Sequence, residues 1–158
     1  MNFIDKKIET VCSEIEKYVS DNAVEIPNIL YTPCEYKECY ACENIPDQSL
    51  SWSAFEKGTR AGGVDKHFWF KFTVKTPSYA DGKSCVLSVI TGKNGDWDAL
   101  NPQGLIYLDG EMVQGLDVNH TEVLLDFDRE YEVWIYFYTG MYDCMFDFNA
   151  SVCLIDKK

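Results

Sequence analysis

Residues 96–125 read DWDALNPQGLIYLDGEMVQGLDVNHTEVLL, and this stretch decides the fold. Two apolar runs, Gly104 to Leu108 and Glu111 to Gln114, flank the pair Asp109-Gly110. Such a pair supplies the positive φ angles that a tight type I′ turn requires, so the spacing predicts a β-hairpin. Around that hairpin sit Trp97, Asp98, Asn101, Gln103, Asp117, Asn119 and His120. Side chains of these types are directional and polar, and they do not build a core. They are the candidate recognition surface. The sequence leaves open whether they meet a ligand or another protein surface.

Working outward, the chain downstream of residue 64 reads as strands. His67 to Thr76 alternates Phe68, Phe70, Phe72 and Val74 against His67, Trp69, Lys71 and Thr73, the period-two pattern of a half-buried strand. Ser84 to Ile90, Glu122 to Phe127, Glu130 to Thr139 and Cys144 to Ile155 bring the total to six or seven strands joined by short connectors. Turn signals between many short strands, with no βαβ alternation and no repeat, predict a jelly-roll-like antiparallel β-sandwich over 64–158. Two strands carry unusual outer faces: Glu132, Trp134, Tyr136 and Tyr138 on one, Asp147, Asn149 and Ser151 on the other. An aromatic face like the first is either a platform for stacking sugars or a surface covered by the N-terminal part of the chain, and the second reading is favoured.

Upstream the pattern changes. Over residues 1–22, Ile4, Ile8, Val11, Cys12, Ile15 and Val19 recur at helical spacing, with Asn2 able to cap the start. This amphipathic helix is expected to pack its stripe on the sheet or on another domain. Residues 23–63 lack periodicity and are punctuated by Pro27, Pro33, Pro46, Gly58 and Gly62-Gly63, which predicts a long irregular arm. Ile26, Ile29, Leu30, Tyr31, Trp52 and Phe55 make that arm too apolar to be disordered.

Composition narrows the function classes. A net charge of -12 repels nucleic-acid phosphates, so no nucleic-acid partner is expected. No apolar run is long enough to span a membrane and no secretory signal opens the chain, so it reads as cytoplasmic. Seven irregularly spaced cysteines then read as reduced thiols. Cys34, Cys39 and Cys42 copy the spacing of an iron–sulfur loop, but Glu35, Tyr36, Lys37, Glu38 and Tyr40 between them are too bulky to wrap a cluster, and no fourth zinc ligand is near. No nucleophile-elbow, metalloprotease, phosphate-loop or dinucleotide motif is present, and the abundant carboxylates of an acidic chain mark out no catalytic pair. The chain is read as having no catalytic residue, metal ligand or cofactor of its own. Asp117-Val-Asn119-His120 has a bland reading too: a loop with Asn119 left-handed and His120 bonded to backbone.

The segments WDA-NPQGL-YLDGE-VQGLD-NHTEVLL, HFWFKFTVKTP (His67 to Pro77) and, more loosely, Trp52 to Gly63 resemble the N-terminal β-sandwich domain of glycoside hydrolase family 38 α-mannosidases of vacuolar and bacterial type. One departure is Ala61, where that family would place a Trp. The resemblance implies a non-catalytic domain that packs on a separate zinc-bearing catalytic domain, that domain being absent from this chain. It implies a catalytic domain of the same enzyme as partner, with oligomers open. The alternative is a carbohydrate-binding module, with a mannose-containing glycan stacked on Trp97 and hydrogen-bonded by Asp98, Asn101, Gln103, Asp117 or Asn119.

Overall fold

The computed structural model describes residues 4, 6–8, 10–12, 23–35, 50–92 and 102–156. Their organisation is that of a β-sandwich. The described residues form twelve strands: β1 (Val24–Glu25), β2 (Leu30–Cys34), β3 (Ser53–Ala54), β4 (Ala61–Gly63), β5 (His67–Lys75), β6 (Lys83–Ile90), β7 (Gln103–Leu108), β8 (Glu111–Leu116), β9 (Glu122–Leu125), β10 (Glu130–Tyr138), β11 (Cys144–Phe146) and β12 (Asn149–Asp156). One sheet has the order β1-β12-β6-β9 and the other β3-β2-β5-β10-β7-β8, with β11-β4 as a small third pair. Every pairing is antiparallel. The chain alternates between the two main sheets at β5, β6 and β7 and again at β8, β9 and β10, which is jelly-roll connectivity.

The hairpin forms as its sequence predicts. Asp109 (φ 51) and Gly110 (φ 91) are both left-handed, as a type I′ turn demands. The Asp109 carboxylate accepts from the Glu132 amide at 2.9 Å and from Arg129 at 2.8 Å, pinning the turn to β10. A β-bulge between Ile106 and Tyr107 breaks the register, so Val113 opposes no residue of β7.

The sandwich core lies between the sheets. Phe70, Phe72 and Val74 of β5 and Val133, Ile135 and Phe137 of β10 face Leu87 and Val89 of β6 and Ala150 and Val152 of β12. Phe70 stacks on Phe148 with ring centroids 4.2 Å apart. Each fully buried ring contributes roughly 2–3 kcal/mol of transfer free energy. The outer face of the larger sheet is also covered, by a second cluster of Trp69, Tyr107 and Trp134 beneath Leu50 and Trp52. The upstream segment therefore covers this aromatic face. The half-buried expectation for His67 to Thr76 fails over its first half, where β5 is buried on both faces.

Four sequence expectations need correction. The arm over 23–63 contains β1 to β4, and β2 joins the six-stranded sheet beside β5. Its five residues and Pro33 are too short and too interrupted to give a strand period. Cys144 to Ile155 is two strands, not one, because the chain leaves β11 at Asp147–Phe148 and resumes as β12. Residues 4, 6–8 and 10–12 are helical as predicted, but Ile4, Ile8 and Val11 are exposed, so of the two surfaces expected for the stripe the sheet is ruled out and another domain remains. The remainder of that helix, with Ile15 and Val19, lies outside the described residues. Finally, Cys34 is disulfide-bonded, whereas Cys12, Cys85, Cys144 and Cys153 remain thiols. Cys39 and Cys42 lie outside the described residues. Counting cysteines could not reveal this bond, because spacing alone fixes no connectivity. The bond also removes the thiol argument for a reducing compartment.

Candidate functional site

At the end of the β7–β8 hairpin away from the Asp109-Gly110 turn, β7 begins, β8 ends, and the 117–121 connector crosses to β9 in the other sheet. The edge position of β8 leaves this corner open to solvent. A cleft of about 490 Å³ lies there, and the side chains that shape it are Gln103, Leu105, Gln114, Asp117 and His120.

Two glycines set the shape of the floor. Gly104 and Leu116 are paired, as are Leu105 and Gly115. A Cβ on Gly104 would lie 2.7 Å from the Phe137 ring and 2.8 Å from the Tyr136 carbonyl, so only glycine lets β7 sit this close to β10. Gly115 is different. A Cβ there would meet only the Gly104 carbonyl, at 3.8 Å, so the missing side chain simply leaves space above the strand.

The polar rim is preorganised by Asp117. Its carboxylate accepts from the backbone N–H of Asn119 at 2.7 Å and of His120 at 2.8 Å, and it pairs with His120 Nδ1 at 2.8 Å. The Asp117 amide closes the loop by donating to the His120 carbonyl at 3.3 Å. The His120 side-chain hydrogen bond, followed by the Asn119 N–H, holds the Asp117 carboxyl below its ordinary value, so it stays an ionised acceptor across the neutral range. Gln114 Nε2 donates to the Glu122 carbonyl at 2.9 Å, tying β8 to the start of β9.

Of the seven residues singled out by sequence, Gln103, Asp117 and His120 meet at this cleft. Asn119 is exposed on the same loop and contributes its backbone N–H. Its φ is not left-handed, and the His120 ring bonds a carboxylate instead of backbone, so the bland reading of the loop is corrected on both points. The Asp117 carboxylate stabilises the turn without a positive φ, which is why left-handed Asn119 is not needed. Trp97, Asp98 and Asn101 lie outside the described residues. Sequence reasoning missed Gln114 and Gly115. The register gives Gly115, which pairs with Leu105 on the face that carries Gln103, whereas Gln114 pairs with Ile106 on the core face and borders the corner because β8 is the sheet edge.

Elsewhere, Lys71 Nζ sits 4.3 Å from the Trp52 ring centroid and 5.2 Å from that of Trp134, inside the covered aromatic cluster. The indole N–H groups of Trp52, Trp69 and Trp134 are buried there with no hydrogen-bond acceptor. Among the described residues, no group of three or more His, Cys, Asp or Glu is placed to hold a metal, and no helix is long and apolar enough to cross a membrane.

No family model and no curated protein matches this sequence. Among solved structures, the chain is similar to the native structure of a family 35 carbohydrate binding module from Clostridium thermocellum. The two are 10% identical, with a TM-score of 0.39, over 83% of this chain and 95% of that one. A likeness at this level does not determine what the chain binds.

Proposed function

We propose that this chain is a carbohydrate-binding module that takes a neutral, hydroxyl-rich ligand in the cleft beside Asp117. The observation that carries this reading is that Gln103, Asp117 and His120 line one cleft whose floor Gly115 keeps open. A sugar presents neighbouring hydroxyls that each donate and accept. The Asp117 carboxylate keeps acceptor capacity on Oδ2 beyond its imidazole bond, and the Gln103 carboxamide both accepts and donates, so the rim matches that pattern. The net charge of -12 disfavours anionic glycans. Mannosides are the first ligands to try, with Trp97 as the expected stacking ring. Calorimetric titration with mannobiose and with gluco- and galacto-disaccharides should give heat and a tryptophan fluorescence change, both lost in Asp117→Ala. Silence from every sugar would sink the reading.

A second reading is the non-catalytic domain of an α-mannosidase, docked on a zinc-bearing catalytic domain. The exposure of Ile4, Ile8 and Val11 along one helix favours it, since an apolar stripe in water wants a partner. Under this reading free sugars leave the chain unaffected. The mass of the native gene product, taken from its own source, should then be several times that of this chain. A native product no larger than this chain would exclude it.

A further inference from the structure

A second cleft, of about 520 Å³, lies on the opposite edge of the sandwich. The first cleft is at β8, which ends the six-stranded sheet. The second is where β1 ends the smaller sheet and β2 and β3 end the larger one. Three connectors converge on it: Glu25–Ile29, Phe55–Thr59 and Asp147–Asn149. Backbone bonds fix their positions, from Ile26 N to the Ala150 carbonyl at 2.9 Å, from Phe55 N to the Ile29 carbonyl at 2.8 Å, and from Thr59 N to the Glu56 carbonyl at 2.9 Å. The cleft is therefore preformed, which lowers the ordering cost of binding.

Like the first site, it is bordered by carboxamides and a carboxylate, here Asn28, Asn149 and Asp147. Phe55 and Phe148 close its floor from below as buried core residues, edge-to-face with centroids 6.1 Å apart and packed on Phe70. Around these rings stand Asn28, Asp147 and Asn149, all exposed. Asn28 is held at φ 58, a left-handed position in the connector. The cations beside the cleft are engaged, Lys57 with Glu25 at 3.5 Å and Arg60 with Asp147 at 3.4 Å. Each of these cations faces a carboxylate and Glu56 adds another, which disfavours an anion, whereas the exposed carboxamides of Asn28 and Asn149 suit the hydroxyls of a neutral sugar.

We infer that this second cleft is a further carbohydrate site, for the same neutral, hydroxyl-rich class of ligand, which makes the chain divalent. The inference rests on the function proposed above. Four strand spacings separate β2 from β8 in the six-stranded sheet, roughly 19 Å at about 4.8 Å each. Sites on opposite edges at that distance join two glycan chains instead of gripping adjacent sugars of one.

The test is calorimetry of the full chain with manno-, gluco- and galacto-trisaccharides, together with turbidity in soluble mannan. Four proteins are compared: wild type, Asp117→Ala, the double variant Asn28→Gly/Asn149→Ala, and all three substitutions combined. Glycine accepts the left-handed φ at 28, so the fold is kept, and a thermal melt confirms it. Two sites are expected in wild type and one in each of the two partial variants, with the altered site weakened about tenfold or more. Turbidity should disappear in both. A single wild-type site, lost in Asp117→Ala and untouched by Asn28→Gly/Asn149→Ala, overturns divalency while the first cleft stands. A single site with the reverse dependence overturns the first cleft and keeps this one. Binding at neither cleft overturns both.

Discussion

At the scale of single residues, Asp117 and Gly104 have opposite jobs. Asp117 holds the rim of the cleft through two backbone amides and one imidazole. Asp117→Ala should cost about 1 kcal/mol, the usual net worth of such bonds near the surface, seen as a lower urea midpoint with unchanged slope. Because its folded pKa lies below the ordinary value, the carboxylate's contribution is present above the unfolded pKa and lost as pH falls through the folded one. Carbon-13 NMR of the Asp117 carboxyl should show that low titration in wild type, shifted upward in His120→Ala. A carboxyl titrating at the ordinary value in both proteins would mean that the pairing does not persist in solution. Gly104 serves packing instead. Gly104→Ala pushes a methyl against Phe137 and the Tyr136 carbonyl, and should destabilise by about 1–3 kcal/mol, read from the same melts. Gly115→Ala is the contrast: the fold should tolerate it, and any loss should appear in ligand affinity alone.

At the scale of elements, the hairpin was the most legible part of the sequence, and the reason is local. Asp109-Gly110 dictates the turn, and apolar runs on each side dictate the strands. The bulge at Val113 was not legible, since an extra residue leaves no mark on a short run. β2 was hidden by Pro33, and the break between β11 and β12 by a continuous alternation of aromatics. The outer aromatic face was legible only as a pair of alternatives. Leu50 and Trp52 decide between them by covering Trp69 and Trp134. Trp52→Ala should therefore expose this cluster, with a red shift in tryptophan emission and added dye binding, while the jelly-roll core persists in far-ultraviolet circular dichroism. Unchanged emission apart from the lost ring would show that the segment does not cover the face in solution. The candidate site was legible in part: Gln103, Asp117 and His120 could be picked by residue type, but Gly115 became visible only through strand register and Gln114 only through the edge position of β8.

At the scale of the whole molecule, the disulfide at Cys34 carries a prediction that composition did not. Alkylation of the denatured, unreduced chain should label Cys12, Cys85, Cys144 and Cys153 and leave Cys34 unmodified, as read by peptide mass spectrometry. Labelling of Cys34 without reductant would restore the reading of a wholly reduced chain. Burial pushes the Cys85 and Cys153 thiols up, so in the native state both should react slowly even at mildly alkaline pH. Sheet order has a different consequence, for how the molecule comes into being. The six-stranded sheet is joined at its middle by Phe72 against Val133 and Phe70 against Ile135, and the smaller sheet by Leu87 against Val152. Each of these pairs closes a long loop before any burial rewards it. Among the described strands, the Asp109-Gly110 hairpin is the pairing that forms from immediate sequence neighbours. Folding should therefore be slow, on the order of milliseconds to seconds, with aromatic strands awaiting partners that come later in the chain.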